Sequence, residues 1–288
     1  MALPPKRPPT RKPMAPKAKP PAPSKSIPAK NFTAGAWGDD NSGEKVMLYG
    51  ESGMGKTTLA AMAPKPVFIG LDDGGRKLTH PVTGGRLECV HGIETFADVL
   101  AVLSQHSVFE QYKTIVIDTV TLLQDLSLQY IFDTVKGEKG RICKTIEDYG
   151  YGKGYRHIYD TMTSMLPLLD SLVNAGKNVI VIAQACNIQV ANAESDDFIK
   201  EGPRLYTGSK SIPSVAAAYM EQMDHVLRIG YQGIIVEDKK ATGNTDRAVF
   251  VQAEPWFYAK SRTLNEAIIS FEDKTDDNLW KFMFPEEY

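Results

Sequence analysis

The sequence contains no uninterrupted apolar run of about 18 residues, so we predict no membrane-spanning helix and no membrane partner. No apolar segment follows the basic N-terminus, and this excludes a secretory signal of the usual kind. Cysteines are few and far apart, and they do not have the spacing of metal ligands: Cys89, Cys143 and Cys186. They indicate reduced thiols in a cytoplasmic protein.

Acidic residues are absent from residues 1–30, which contain eight Lys or Arg and ten Pro. Such a stretch has almost nothing to bury, so it predicts a disordered, partly polyproline basic arm. The arm is either a solubilising tail or an electrostatic tether. Because the whole chain of 288 residues has a net charge of −2, residues 31–288 carry about −10. We predict that residues 31–288 form one folded domain, which needs the arm or a local basic patch to bind a polyanion.

Apolar strands alternate with amphipathic helices from about residue 44 to residue 184. The strands are "KVMLYG", "PVFIGL", "KTIVID" and "NVIVIAQ". One long helix, which Pro167 can kink and which has a C-terminal cap at Gly176, is expected over residues 155–178. After residue 224, "HVLRIG", "GIIVED", "RAVFVQ" and "EPWFYAK" follow as strands without helices between them. The pattern predicts an α/β fold, with a mainly parallel sheet, helices on both faces and a C-terminal antiparallel extension.

The stretch "GESGMGKT" (50–57) fits the pattern G-x-x-x-x-G-K-[ST] and lies between a predicted strand and a predicted helix. Its glycines let backbone N–H groups surround an anion, and the helix N-terminus adds positive charge. The lysine reaches the terminal phosphates and the threonine hydroxyl ligates Mg²⁺. We therefore predict ATP and Mg²⁺ as cofactors, bound by Gly50, Glu51, Ser52, Gly53, Met54, Gly55, Lys56, Thr57 and Thr58, with Lys56 also catalytic.

Carboxylates at strand ends are the candidates for metal binding and for catalysis. Asp118 ends "TIVID", and we predict that it acts on Mg²⁺ together with Thr57. Thr119 follows it where many ring ATPases have the glutamate that activates water, so the base must come from elsewhere. Asp72, at the end of the neighbouring strand, is the first choice and Asp73 the second. A simple turn before Gly74 is the alternative explanation for this acidic pair.

A set of motifs occurs in a fixed order over about residues 44–265: "GESGMGKTT", "FIGLDDGG", "IVIDTVTLL", "NVIVIAQ", "MDHVLRI" and "YAKSR". This set resembles the RecA-like ATPases and, more closely, the phage-encoded RecA-core proteins of the single-strand annealing (Sak-type) group. The resemblance implies a RecA-like P-loop NTPase core. It also implies that Asp72 is the catalytic carboxylate, in a position that usually holds Glu, and that Gln184 senses the γ-phosphate and moves a DNA loop. Lys260 and Arg262 resemble the basic pair that reaches a neighbouring subunit's nucleotide.

Two segments are candidates for binding single-stranded DNA, because a RecA-like core places its DNA loops there. In residues 136–157 tyrosines alternate with glycines and cations, and in residues 187–213 a long connection contains basic and aromatic residues. A Tyr/Gly loop packed on the protein itself is the alternative for the first segment, and its own acidic residues count against the second. The candidate DNA-binding residues are Tyr149, Tyr151, Lys153, Tyr155, Arg156, Arg204 and Lys210.

The sequence therefore predicts a RecA-like ATPase that acts on single-stranded DNA in phage recombination or strand annealing. Its expected partners are DNA, further copies of itself in a ring or filament, and a single-strand binding protein, all in the cytoplasm of a bacterial host. A small-molecule or nucleotide kinase is one alternative, although no helical lid with arginines stands out. A non-hydrolysing adaptor switched by ATP is the other alternative, because Asp takes the place of the usual Glu.

Overall fold

The computed structural model describes residues 42–71, 74–192, 196–209, 211–233, 235–237, 240–242 and 246–288. The predicted arm at 1–30 and three predicted site residues, Asp72, Asp73 and Lys210, lie outside these residues. Among the described residues, no helix has both the length and the apolar character that crossing a bilayer requires.

Strands and helices alternate in the first two thirds of the described chain, and strands dominate after it. The strands are β1 (Lys45–Gly50), β2 (Pro66–Gly70), β3 (Thr114–Asp118), β4 (Asn178–Val190), β5 (Phe198–Pro203), β6 (His225–Tyr231), β7 (Ile235–Glu237), β8 (Lys240–Thr242), β9 (Arg247–Phe250) and β10 (Ile268–Ser270). The α-helices are α1 (Lys56–Ala61), α2 (Phe96–Leu103), α3 (Val120–Thr134), α4 (Lys153–Thr163), α5 (Leu166–Asn174), α6 (Val215–Gln222) and α7 (Asn278–Met283).

The main sheet has the strand order β10-β9-β6-β1-β4-β3-β2. Strands β6, β1, β4, β3 and β2 are parallel, so their carboxyl ends meet at one edge of the sheet. Strands β9 and β10 add to it in antiparallel orientation, and β5 pairs with the outer half of β4. The predicted fold class is confirmed: a mainly parallel α/β sheet with an antiparallel C-terminal extension.

Alternating side chains of the buried strands pack into two cores. Met47 and Tyr49 of β1 face one core together with residues of helices α2 to α6. Val46 and Leu48 face the other, together with residues of α1 and α7. Helices therefore cover both faces, which explains why the parallel strands read as continuous apolar runs.

Two expectations about local structure were wrong. The single helix expected over residues 155–178 is two helices, α4 and α5, and α4 already begins at Lys153. Pro167 lies in the first turn of α5, where its missing N–H costs nothing, so it starts a helix rather than kinking one. The segment "EPWFYAK" forms only isolated bridges, and the last strand is Ile268–Ser270 instead.

Candidate nucleotide site

The glycine-rich loop leaves β1 at Gly50 and enters α1 at Lys56, at the carboxyl edge of the sheet. Gly55, the N-cap of α1, has φ 95, and Gly53 has φ 83, both in the left-handed region that favours glycine. A Cβ at Gly50 would lie 2.4 Å from the main-chain oxygen of Ile229, so no larger residue fits between β1 and β6. The loop therefore has the compact form that the motif predicts.

Lys56 is buried, and its ammonium group lies inside the loop. Nζ donates to the main-chain oxygens of Gly50 at 2.8 Å and Glu51 at 2.7 Å, and to Oε1 of Gln184 at 3.1 Å. These acceptors hold a cation where the phosphates of a nucleotide are expected. Burial lowers the pKa of Lys56 to about 8, although the carboxylates of Asp118 and Glu51 act in the opposite direction.

This lowered pKa predicts a pH-dependent affinity for ATP. As the pH rises through about 8, the free protein loses the Lys56 proton, and binding of ATP then requires its return. We expect affinity to be constant below pH 7 and to weaken by up to about tenfold per pH unit above pH 8. ATP titrations from pH 6.5 to 9.5 measure this. The control is Lys56→Arg, which stays charged and should give a flat profile; an equally flat wild-type profile would contradict the assignment.

Thr57 and Asp118 are joined by a hydrogen bond, in which Thr57 Oγ1 donates to Asp118 Oδ2 at 2.6 Å. Asp118 is buried at the end of β3. A hydroxyl and a carboxylate are hard oxygen donors of the kind that Mg²⁺ prefers when it also binds phosphates. The chemistry of this donor pair fits the predicted metal site, which Thr57 and Asp118 would form together.

Gln184 lies where β4 leaves the sheet, opposite Gly50 of β1. Its side chain accepts from Lys56, its N–H donates to Thr121 Oγ1 at 3.0 Å, and its main-chain oxygen accepts from Arg204 N at 2.6 Å. Gln184 therefore links the phosphate loop directly to the segment that follows β5. The bond between Thr121 and Gln184 could not be predicted from the sequence, because the two residues are 63 positions apart and no local pattern links them.

The position of the catalytic base stays a prediction, because Asp72 and Asp73 lie outside the described residues. The strand before them is in place: Gly70 is paired with Asp118, and Leu71 N donates to the main-chain oxygen of Asp118 at 2.8 Å. Thr119, where other ATPases carry the glutamate, caps α3 by accepting from Leu122 N at 3.2 Å.

Lys260 and Arg262 lie at the amino edge of the sheet, away from the loop of their own chain. Lys260 pairs with Val226 near the start of β6, and its Nζ donates to the main-chain oxygen of Glu221 at 3.1 Å. Burial and the nearby Arg262 lower the pKa of Lys260. The guanidinium of Arg262 is 3.4 Å from Oδ1 of Asp224. In a single chain, the two cations therefore do not take part in the site around Lys56.

Comparison with known proteins gives a family. The family model described as AAA domain (AAA_24) matches residues 42–263, which is more than half of the chain. The chain belongs to the AAA_24 family. With the fold and the loop geometry, membership supports a P-loop ATPase. Among solved structures, a KaiC-like protein of the hyperthermophilic archaeon Pyrococcus horikoshii is similar at 13% identity, with a TM-score of 0.39, over 80% of this chain and 90% of that chain. A search among curated proteins found no match.

In this AAA_24 protein the two candidate DNA segments meet in one open groove of about 590 Å³. Tyr155, from α4, stacks on Tyr206 with ring centroids 5.2 Å apart and an interplanar angle of 19°. Arg204 lines the same groove, as does Glu147, whose carboxylate accepts from the Tyr155 hydroxyl at 3.3 Å. The groove thus offers an aromatic pair, with one cation and one anion among its lining residues.

Tyr149 is a correction to the predicted DNA-binding set. Its ring is buried in the core, and its hydroxyl donates to the main-chain oxygens of Ile131 at 3.2 Å and Val135 at 2.8 Å. A ring held in this way has no free face for a base. Tyr151, two residues later, is 100% exposed, and its backbone has φ 47.

The two cations predicted to bind DNA in residues 136–157 are exposed, and each forms a surface ion pair. Lys153 Nζ lies 2.6 Å from Oε1 of Glu138, and Arg156 Nε lies 2.9 Å from Oδ1 of Asp160. Exposed pairs of this kind contribute about 0–1 kcal/mol, so a phosphate can compete for either cation.

Proposed function

We propose that this chain is an ATP-hydrolysing protein that acts on single-stranded DNA in phage recombination or strand annealing. The observation that carries the proposal is the pair of bonds at Gln184. Its side chain contacts Lys56 at 3.1 Å, and its main-chain oxygen holds Arg204 N at 2.6 Å. A change at the terminal phosphate can therefore reach the groove through a single residue.

The residues of the loop have separate tasks in ATP binding. Lys56 supplies a buried positive charge, and the backbone N–H groups of the loop orient the phosphates. Thr57 and Asp118, which are hydrogen-bonded to each other, would hold Mg²⁺, and the metal would neutralise phosphate charge. Hydrolysis further needs a base, for which Asp72 is proposed, and cations from a second copy, for which Lys260 and Arg262 are proposed.

The groove favours single strands over duplex DNA. A base can stack only when it is unpaired and turned outwards, and the Tyr155–Tyr206 pair and the exposed Tyr151 offer aromatic faces for such bases. Among the described residues that line the groove, one cation, Arg204, is accompanied by one anion, Glu147. Stacking should therefore contribute more to binding than phosphate contacts do.

ATP hydrolysis should rise when single-stranded DNA is added, and duplex of the same sequence should have a much smaller effect.

Tyr151→Ala combined with Tyr155→Ala should weaken single-strand binding by about tenfold or more at both low and high salt, because stacking is not screened. Fluorescence anisotropy with a labelled oligonucleotide measures the affinity. Tyr231→Ala removes an exposed tyrosine elsewhere and serves as the control.

Three outcomes would count against this function. Equal affinity for duplex and single strand would remove the DNA specificity. Phosphate transfer to a small acceptor without DNA would indicate a kinase. Single-turnover experiments without any hydrolysis would indicate an adaptor that ATP merely switches.

A further inference from the structure

The helix that follows the phosphate loop is very short, and the C-terminal part of the chain holds its end. Helix α1 has six residues, Lys56–Ala61, which is too few for stability in isolation. Trp280 Nε1 donates to the main-chain oxygen of Leu59 at 2.7 Å, and the Tyr288 hydroxyl donates to that of Met62. Leu59 O also accepts from Met62 N at 3.1 Å, so Trp280 adds a second bond to it, while Tyr288 binds an oxygen just past the helix end. Both donors lie beyond residues 42–263, the part that the family model matches.

Arg247, the first residue of β9, contacts the phosphate loop just before α1 begins. Strand β9 is antiparallel to β6, and Arg247 is paired with Tyr231, so it lies at the carboxyl edge beside the loop. Its Nη1 donates to the main-chain oxygen of Met54 at 3.2 Å, and Nη2 donates to that of Glu272 at 3.0 Å. The guanidinium lies over the Phe271 ring, 4.8 Å from its centroid.

Gly55 fits closely against this pair of side chains. A Cβ built on it would lie 2.8 Å from Nη1 of Arg247 and 2.9 Å from Cε1 of Phe271. Its φ of 95 already excludes most other residues. The glycine, the guanidinium and the ring therefore form one packed contact at the point where the loop becomes the helix.

We propose that Arg247 is a positioning residue of the nucleotide site, a role that rests on the proposed ATP binding. The oxygen of Met54 and the N–H of Gly55 belong to the same planar trans peptide unit and point in opposite directions. Because Arg247 fixes the oxygen outwards, it turns the Gly55 N–H inwards, towards the place where the loop surrounds an anion. Arg247 thus acts on the phosphates through the orientation of this peptide.

The test compares Arg247→Gln and Arg247→Lys with the wild-type protein. We expect Arg247→Gln to weaken ATP affinity by about tenfold, the usual effect of losing a hydrogen bond to a charged donor. The turnover rate at saturating ATP should fall by less than about threefold, since bound phosphates can restore the peptide orientation. Arg247→Lys keeps one charged donor and should regain part of the affinity. Arg86→Gln removes an exposed arginine outside both candidate DNA segments and is the matched control.

Fluorescent ATP titration and steady-state kinetics give the two quantities, and thermal unfolding without nucleotide reports the folded fraction. Unchanged affinity in Arg247→Gln would overturn the proposal. An equal loss in Arg247→Gln and Arg247→Lys would also overturn it, as would a turnover loss as large as the affinity loss. If Arg247→Gln does not fold, Arg247→Lys and Phe271→Leu are measured in its place. Each of them should weaken ATP binding more than the control does, and a loss no larger than that of the control would overturn the proposal. A wild-type protein that does not bind ATP would refute the proposed function itself.

Discussion

Lys56→Ala is expected to weaken ATP binding by about 100-fold or more while the protein keeps its fold. Lys56 is buried, and its Nζ lies among three oxygen acceptors inside the loop. Removing one partner of a buried charge pair costs about 3–5 kcal/mol, which corresponds to at least about 100-fold in affinity. Isothermal titration with ATP and Mg²⁺ measures the loss.

The fold should survive this change, because the lysine is held in a place that disfavours its charge. Burial lowers the pKa of Lys56 to about 8, so its removal also removes a desolvation cost. We expect the melting temperature without nucleotide to change by less than about 5 °C. Lys281→Ala, which removes an exposed lysine paired with Asp277, is the control. Affinity within threefold of wild type would mean that the phosphates do not bind at this loop.

The double variant Lys260→Ala/Arg262→Ala is expected to lose hydrolysis by at least about 100-fold and to keep its ATP affinity. Cations supplied by a second subunit stabilise charge that develops during phosphoryl transfer, and such a contribution reaches about 10³-fold or more. Both residues lie at the amino edge of the sheet, where they contact Glu221 and Asp224 of their own chain. The loss should therefore appear in turnover and not in binding.

Mixing provides the decisive measurement for this pair. A Lys56→Ala chain has intact cations and a defective loop, whereas the double variant has the reverse, so a mixture should recover part of the activity. A mixture of Lys281→Ala and Lys56→Ala is the reference. It gives the activity expected when one of the two chains has both an intact loop and intact cations. Activity per chain should also rise with protein concentration. A constant specific activity down to nanomolar protein, with no recovery on mixing, would show that one chain completes its own site.

Features set by neighbouring residues could be predicted from the sequence. The phosphate loop needs glycines at fixed spacing between a strand and a helix, and the structure has β1, the loop and α1 in that order. The buried strands were recognisable because parallel strands covered on both faces have to be apolar throughout. Gln184 was identified at the end of an apolar run, and its side chain contacts Lys56, although β4 itself continues to Val190.

Features set by distant residues could not be predicted in this way. The Tyr/Gly alternation in residues 149–155 does not reveal which ring points inwards; the carbonyls of Ile131 and Val135, on and just after α3, bind Tyr149. Arg247 was missed because its acceptor, Met54, precedes it by 193 residues. The start of α5 at Leu166 depended on whether Pro167 would kink a helix or begin one, and the local sequence permits both.

The opposite positions of the loop and the Lys260–Arg262 pair restrict the symmetry of any assembly in which the pair serves a neighbour's phosphates. Such an assembly joins the amino edge of one protomer to the carboxyl edge of the next, and these are two different surfaces. A two-fold dimer can make this contact only if both edges lie within one self-complementary surface; otherwise the interface is heterologous and leads to a ring or a filament. A closed ring would complete every site. An open filament would leave one incomplete site at one end, so its hydrolysis per chain would increase with filament length.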